Sequence, residues 1–467
     1  MLHFGEDPQG SGDRGEGANQ CRLAAVFPDG PVPLAEIVSR LERLLAGSPA
    51  DATEISWLEV RRGQESNGKR RRDTYELHER TVLFRVRESG RTGLHRTSVS
   101  TLSDLENALR DALAQARLSP PSPEPLAIPG GDAPVDVRGV FDPELARMTP
   151  GAARDLLQRL AARGETARIG WSEGRIAVAS SRGLRRAADV TSAWMEVICA
   201  RQPGAGRAAA ASRSLAGLDP QQVFERARRR SGPPEVVRPP EGPAPLALSQ
   251  EATAALLEVL NRQTFTSESF HSGVSFLRES LGQPVFHPAV NLRDDPTDPR
   301  GLPFPFDLLG AAARPVDLVA GGVALTPAID DRLSRALAVP PTAQRVATDE
   351  VAPTHLFLLP GEASGEELLR AADGGVWVAA LEPLEVYDPQ ALRFRAVARG
   401  VRQVDGGALG RSLPDLVWED DLRRVLSRVL AVGSHLVPIA TGAGLFRATT
   451  APMLAVAGAG GLRFAED

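Results

Sequence analysis

In PLAEIVSRLERLLAG, the apolar residues Leu34, Ile37, Val38, Leu41, Leu44 and Leu45 recur at helical spacing, and Gly47 stands just past the last of them. One apolar face with a glycine stop predicts an amphipathic helix. The period then changes. TEISWLEV, DTYELHE and RTVLFRVRE carry β-branched and aromatic residues in partial alternation, and SGRTG turns the chain before LHRTSVS. These predict strands of an antiparallel sheet. Ser103 and Glu106 have capping-box spacing ahead of Leu105, Ala108, Leu109, Ala112 and Leu113, which predicts a second helix. Thr149 as cap and Pro150 at the first position predict another in TPGAARDLLQRLAARG. The stretch ARIGWSEGRIAVASSRGLRRAADVTSAWMEVICAR reads as three strands, with turns at Glu173-Gly174 and Arg182-Gly183, and Asp219-Pro220 opens a further helix.

Two proline clusters interrupt this pattern. SPPSPEPLAIPGGDAP and SGPPEVVRPPEGPAP cannot be regular structure, and the second is the better domain boundary. Beyond it comes one helix, SQEATAALLEVLNRQ. From about Val285 the chain breaks into short apolar runs separated by Gly, Asp and Pro, such as VDLVAGGVAL, THLFLLPG and GVWVAALEPLEVY. Only GEELLRAAD and EDDLRRVLSRVLAVG look helical there. The fold class expected is α+β. Residues 1–22 form a disordered tail, 23–235 an N-terminal α+β domain with an antiparallel sheet, and 236–467 a C-terminal mainly-β domain, barrel- or sandwich-like.

Composition adds constraints. The chain has 467 residues, too many for one core, with 42% apolar and 24% charged residues. A net charge of −5 gives no global pull toward nucleic acid or an anionic membrane. The run KRRR, Lys69 to Arg72, contains the chain's only lysine and reads as an exposed hairpin tip. Cys21 and Cys199 are too few for a disulfide framework or a four-thiolate zinc site, so free thiols in a reducing compartment are expected. The acidic, Gly-rich N-terminus has no basic or apolar leader region, and no apolar run is long enough to span a bilayer. The chain reads as cytoplasmic.

Candidate chemistry is sparse. The histidines are His3, His78, His95, His271, His287, His355 and His435, and no two stand three to five residues apart. HExxH and HExxxH are both missing, although zinc peptidases commonly carry two histidines one helical turn apart. Glu268 and His271, in SESFHSGVSFLRESLG, have the spacing used in di-iron bundles, but there is no second pair, so a polar helix face is the simpler reading. No G-x-S-x-G, P-loop or dinucleotide fingerprint is present. The aspartates of DDPTDPR are proline-interrupted and read as turn formers.

An ordered series of segments resembles the TldD/PmbA family, also called modulator of DNA gyrase. The series is GVFDPELA, RIAVASSRGLRR, SLAGLDPQQVFERA, HSGVSFLRESLGQPVF, DDPTDPRGLPFPFD, VAPTHLFLLPGEASGEELL and LRRVLSRVLAVGSHL with APMLAVAGAGG. The resemblance runs from about residue 35 to the C-terminus. It implies a TldE/PmbA-like, non-catalytic subunit of a zinc metallopeptidase complex, paired with a TldD-like partner that carries HExxxH and a ligand cysteine. In this chain the counterpart helix is expected in SESFHSGVSFLRES, with His271 as a cavity-lining residue, and TGAGLFRATTAPM contains no cysteine. The resemblance thus implies no cofactor in this chain and zinc only in the partner. It further implies an unfolded peptide substrate held as an added strand. Thr354, His355, Leu356, Phe357, Leu358 and Leu359 are the expected wall for that peptide. Two other readings stand beside it. One is a stand-alone peptide-binding or scaffold homodimer that has lost protease activity. The other is a metallopeptidase whose own atypical site is built from His271, His287, His355 or His435.

Overall fold

A computed structural model describes residues 32–464, apart from 69–73, 122–127, 132–134, 137, 200–203, 233–237, 239–241, 346–349, 441–446 and 460–461. His3, Cys21, the expected tail and the KRRR run lie outside the described residues.

The N-terminal half is built on one antiparallel sheet. Its strands are β1 (Ala52–Ser66), β2 (Tyr75–Glu88), β3 (Arg91–Ser98), β4 (Thr166–Ser180), β5 (Arg185–Cys199) and β6 (Gly206–Ser212), in the order β3-β2-β1-β4-β5-β6. Its helices are α1 (Leu34–Gly47), α2 (Asp104–Leu118), α3 (Pro143–Ala146), α4 (Pro150–Leu160), α5 (Leu215–Leu218) and α6 (Pro220–Arg230). Alternation along the strands separates two faces. Ile55, Trp57, Phe84 and Val86 pack under α1 and α2, and Trp171, Met195 and Val197 continue that face under α4 and α6. Ile176, Val178 and Val190 point the other way, onto Phe304 and Phe306 from the C-terminal half.

Several expectations change here for local reasons. DTYELHE and RTVLFRVRE are one strand, because Glu79, Arg80 and Thr81 contain no turn residue and stay in register against β1. Glu173-Gly174 is not a turn. Glu173 pairs with Arg61 on one side and Thr191 on the other, so the expected three strands are two long ones. Ser103 adopts a helical backbone and caps nothing; Asp104 Oδ2 accepts instead from the amides of Ser100 and Thr101 at 2.9 and 2.8 Å. Thr149 does cap α4, accepting from the Ala152 amide at 3.2 Å.

The C-terminal half holds three open sheets. One contains β8 (Leu292–Asp294), β9 (Val316–Ala320), β10 (Val323–Ala324), β11 (His355–Leu358), β19 (Val437–Ala440) and β20 (Ala448–Ala451), ordered β10-β9-β8-β11-β20-β19. The second contains β7 (Ala244–Leu248), β12 (Val376–Val378), β15 (Arg402–Asp405), β16 (Ala408–Ser412), β18 (Val429–Val432) and β21 (Leu454–Ala459), ordered β16-β15-β12-β7-β21-β18. The third runs β13-β14-β17-β22, from β13 (Ala380–Asp388), β14 (Arg393–Arg399), β17 (Leu416–Asp421) and β22 (Arg463–Phe464). Open sheets make this half sandwich-like among the described residues, and the barrel alternative falls away. Helices α7 (Gln250–Leu260), α8 (Ser267–Ser272), α9 (Leu277–Ser280), α10 (Asp331–Leu337), α11 (Gly365–Ala371) and α12 (Leu422–Ser427) connect them. EDDLRRVLSRVLAVG, expected as one helix, divides into the end of β17, α12 and β18. Asp421 caps the short helix by accepting from the Arg423 and Arg424 amides.

Helix α7 is the core's central rod. Leu256, Leu257 and Leu260 pack among Leu246, Leu356, Val378 and Trp418 from all three sheets. Ser249 fixes its start, accepting from the Ala252 amide at 3.0 Å and donating to the Ala379 carbonyl at 2.7 Å. A single π turn, Asn261–Phe265, ends it, and Asn261 Nδ2 donates to the Pro353 carbonyl at 3.0 Å.

Candidate functional site: an interdomain cavity

One side of α7, continued by the π turn, faces β6 across a cavity. Glu251, Ala254, Ala255, Glu258, Val259 and Arg262 recur at helical spacing on that side. Together with Ala208–Ala210 of β6, Ala380–Leu384 of β13 and Ile439–Ala440 of β19, they enclose a cavity of about 430 Å³ between the two halves. Each of those three strands ends its sheet. The cavity therefore lies where sheet edges converge, and much of its wall is alanine.

An edge strand presents unpaired amides and carbonyls, which proteins commonly blunt with charge. The β6 edge is treated this way. Glu251 Oε1 accepts from the Ala209 amide at 2.8 Å, Arg226 donates to the Ala209 carbonyl, and Arg230 donates to the Arg207 carbonyl at 2.8 Å. Glu251 and Arg230 also pair at 2.8 Å. Burial alone would raise the Glu251 carboxyl, but Arg230 and Arg226 hold it below its ordinary range. On β13 the Glu382 carbonyl accepts from Arg399 Nε at 2.8 Å, while β19 carries no such charged cap among the described residues.

Glu258 has a different environment. Its Oε2 accepts from the Thr449 hydroxyl at 3.2 Å, and Arg262 Nε lies 4.0 Å from its Oε1, too far for a hydrogen bond. Burial raises its carboxyl above the ordinary value, against the pull of Arg262 and Arg447.

The residues singled out in the sequence lie elsewhere. His271, on α8, is half-buried with Nε2 3.0 Å from Asp330 Oδ2; Asp330 also caps α10 through the Leu333 amide. It is not on the cavity wall, and the helix that is there is α7, not the SESFHSGVSFLRES segment. Thr354–Leu359 surround β11, which is buried and paired with β8 on one side and β20 on the other, so it has no free edge. Asp294 Oδ1 takes the Thr354 and His355 amides at 2.9 and 2.6 Å. None of these six residues reaches the cavity. His287 bonds the Ala289 amide and His355 the Thr354 hydroxyl, and no three His, Cys, Asp or Glu side chains converge as metal ligands among the described residues. Cys199 is a buried thiol in β5, pushed up to about 12 by burial and by Glu165. No described helix is long and apolar enough to cross a membrane.

A helix-cored, sandwich-like C-terminal domain closing a cavity against an antiparallel N-terminal sheet defines the class. Residues 241–460 match the PmbA/TldA metallopeptidase C-terminal domain. These residues therefore carry the C-terminal domain found in the TldD/PmbA family. Three solved structures share the fold. A protein from Thermotoga maritima named as a modulator of a DNA gyrase has a TM-score of 0.77 at 20% identity, covering 91% of this chain and 100% of its own. TldE from Thermococcus kodakarensis also has 0.77, at 17% identity, covering 90% of this chain and 99% of its own. A modulator-of-gyrase protein from Bacteroides thetaiotaomicron has 0.69 at 15% identity, covering 91% and 98%. At these identities the likeness is one of fold. No curated protein matches the chain.

The family description names a metallopeptidase, so the cavity must be compared with zinc chemistry. Catalytic zinc takes three protein ligands, drawn largely from His and Cys with a carboxylate. The cavity wall contains neither His nor Cys, and its glutamates are spread over α7, β5 and β13, with Glu251 already committed to Arg230. The residues present do not fit a zinc ion, and no catalytic step follows from them.

Proposed function

We propose that the chain is the non-catalytic, TldE/PmbA-type subunit of a two-chain zinc peptidase that acts on unfolded peptides. The observation carrying this reading is the interdomain cavity, rimmed by sheet edges yet lined by no zinc-binding set. Extended peptides bind to open sheet edges through backbone hydrogen bonds, and small wall residues leave room for a main chain. The β19 edge, with β13 away from Glu382, is the surface for that contact in this reading, since β6 is capped. Zinc and the cleavage step belong to a TldD-like partner that completes the cavity.

The test is to purify the chain and a TldD-like protein of the same genome, separately and mixed. The reading expects a mixed complex by mass measurement and cleavage of an unfolded peptide that neither chain performs alone. A stable homodimer that ignores the partner but binds peptide would replace it with a stand-alone peptide-binding role.

A further inference from the structure

Glu258 is the cavity glutamate whose nearest cation, Arg262 at 4.0 Å, stands beyond hydrogen-bond distance among the described residues. Glu196 is paired with Arg168, Glu382 with Arg207, and Glu251 with Arg230 and the Ala209 amide. Glu258 Oε2 is engaged by the Thr449 hydroxyl, while Oε1 accepts no hydrogen bond among the described residues. Arg262 does not complete it. Its side chain is 60% exposed, and a solvated pair at 4.0 Å is weak and easily rearranged. The cavity wall it shares is largely alanine, and its charged side chains are four glutamates, Glu258 among them, against two arginines, Arg207 and Arg262. A partly desolvated carboxylate favours a ligand that replaces the lost hydration with donors and positive charge.

We infer that Glu258 recognises a primary ammonium group of the bound peptide, through Oε1. This deepens the peptide-binding reading and rests on it. Chemistry selects the ammonium over other groups. An anion would be repelled, and a neutral ligand would leave the charge of Oε1 uncompensated. A guanidinium binds best through two parallel bonds to both carboxylate oxygens, but Thr449 already holds Oε2. An ammonium is a compact point charge with three donors. One donor meets Oε1, and two remain for nearby carbonyls. The ammonium has two sources, the peptide N-terminus and a lysine side chain.

The test uses a flexible octapeptide rich in alanine and serine, fluorescently labelled at its C-terminus and carrying one lysine. Four forms are compared by anisotropy on the full chain: free, N-acetylated, lysine replaced by norleucine, and both blocked. The doubly blocked form should bind about ten-fold more weakly than the free form. The singly blocked form that shares the loss identifies the source. Glu258→Gln should bind all four forms equally weakly, whereas Glu366→Gln, exposed on helix α11 and away from the cavity wall, should keep the preference. The peptide series works on the unaltered chain, so it does not depend on a variant folding. Equal binding of all forms to the unaltered chain, no binding of any form, or a preference that survives in Glu258→Gln overturns the inference. Failure of the two-chain reading appears separately, as no complex with the TldD-like protein whatever the peptide preference.

Discussion

Burial, with the Arg213 guanidinium nearby, holds the His355 imidazole at a pKa of about 3, against an ordinary value of 6.5. The folded chain therefore keeps this side chain neutral where the unfolded chain takes up a proton. Its contribution to stability is complete above pH 6.5 and is lost as pH falls toward 3, by about 1.4 kcal/mol per pH unit. Glu54 and Asp294 act in the opposite sense. Burial raises their carboxyls to about 7 and about 6, so the folded chain binds protons that the unfolded chain does not, and their contribution falls as pH rises through those values. The His355 effect is therefore read as a difference. The melting-temperature gap between the unaltered chain and His355→Gln should narrow steadily between pH 7 and pH 5. A gap independent of pH would show that the imidazole titrates normally. The same imidazole illustrates what the sequence hides. His355 looked like a candidate peptide or metal contact because of its chemistry, and only long-range packing places it inside a sheet.

At the scale of elements, Glu251 joins α7 to the edge of β6. Glu251→Ala removes the carboxylate of a buried pair and uncovers the Ala209 amide, so a loss of about 3 kcal/mol is expected. The uncovered edge should also raise light scattering on mild heating; an unchanged melting curve would contradict the capping role. Gly93 marks where β3 meets α2. A Cβ built there would stand 2.1 Å from the Ala112 carbonyl oxygen and 2.8 Å from the Ala116 amide nitrogen, both helix backbone. Gly93→Ala should therefore cost about 2 kcal/mol or more, measured as a shift in denaturant midpoint. Local signals made much of this level legible. The apolar stripe of α1 gave the helix Leu34–Gly47 with Ile37, Leu41, Leu44 and Leu45 buried, and Thr149-Pro150 gave the start of α4. The misses have physical causes. Glu173-Gly174 resembles a turn, but pairing with β1 and β5 on both sides overrides it. The face of α7 toward the cavity was written in SQEATAALLEVLNRQ as small and charged residues at helical spacing. Nothing local distinguished it from a solvated stripe, because what faces it comes from β6, β13 and β19.

At the scale of the molecule, the two halves are clasped by buried polar and aromatic groups. Arg213, at the end of β6, donates to the Leu302 and Pro303 carbonyls at 2.9 Å each, beside Phe304 and Phe306. Arg402 reaches back to the Arg230 and Ser231 carbonyls. Those contacts set the α7 face against the β6 edge and so create the cavity. The α+β class and the family resemblance could be read from the ordered segments, but the cavity wall could not, since it is assembled across this clasp. The proposed role of this wall is to bind peptide for a catalytic partner. Its most direct measurement is the rate of cleavage of an unfolded peptide by the TldD-like protein, with and without this chain. Cleavage is expected only when both are present. Equal rates with and without this chain, or metal-dependent cleavage by this chain alone, would contradict it.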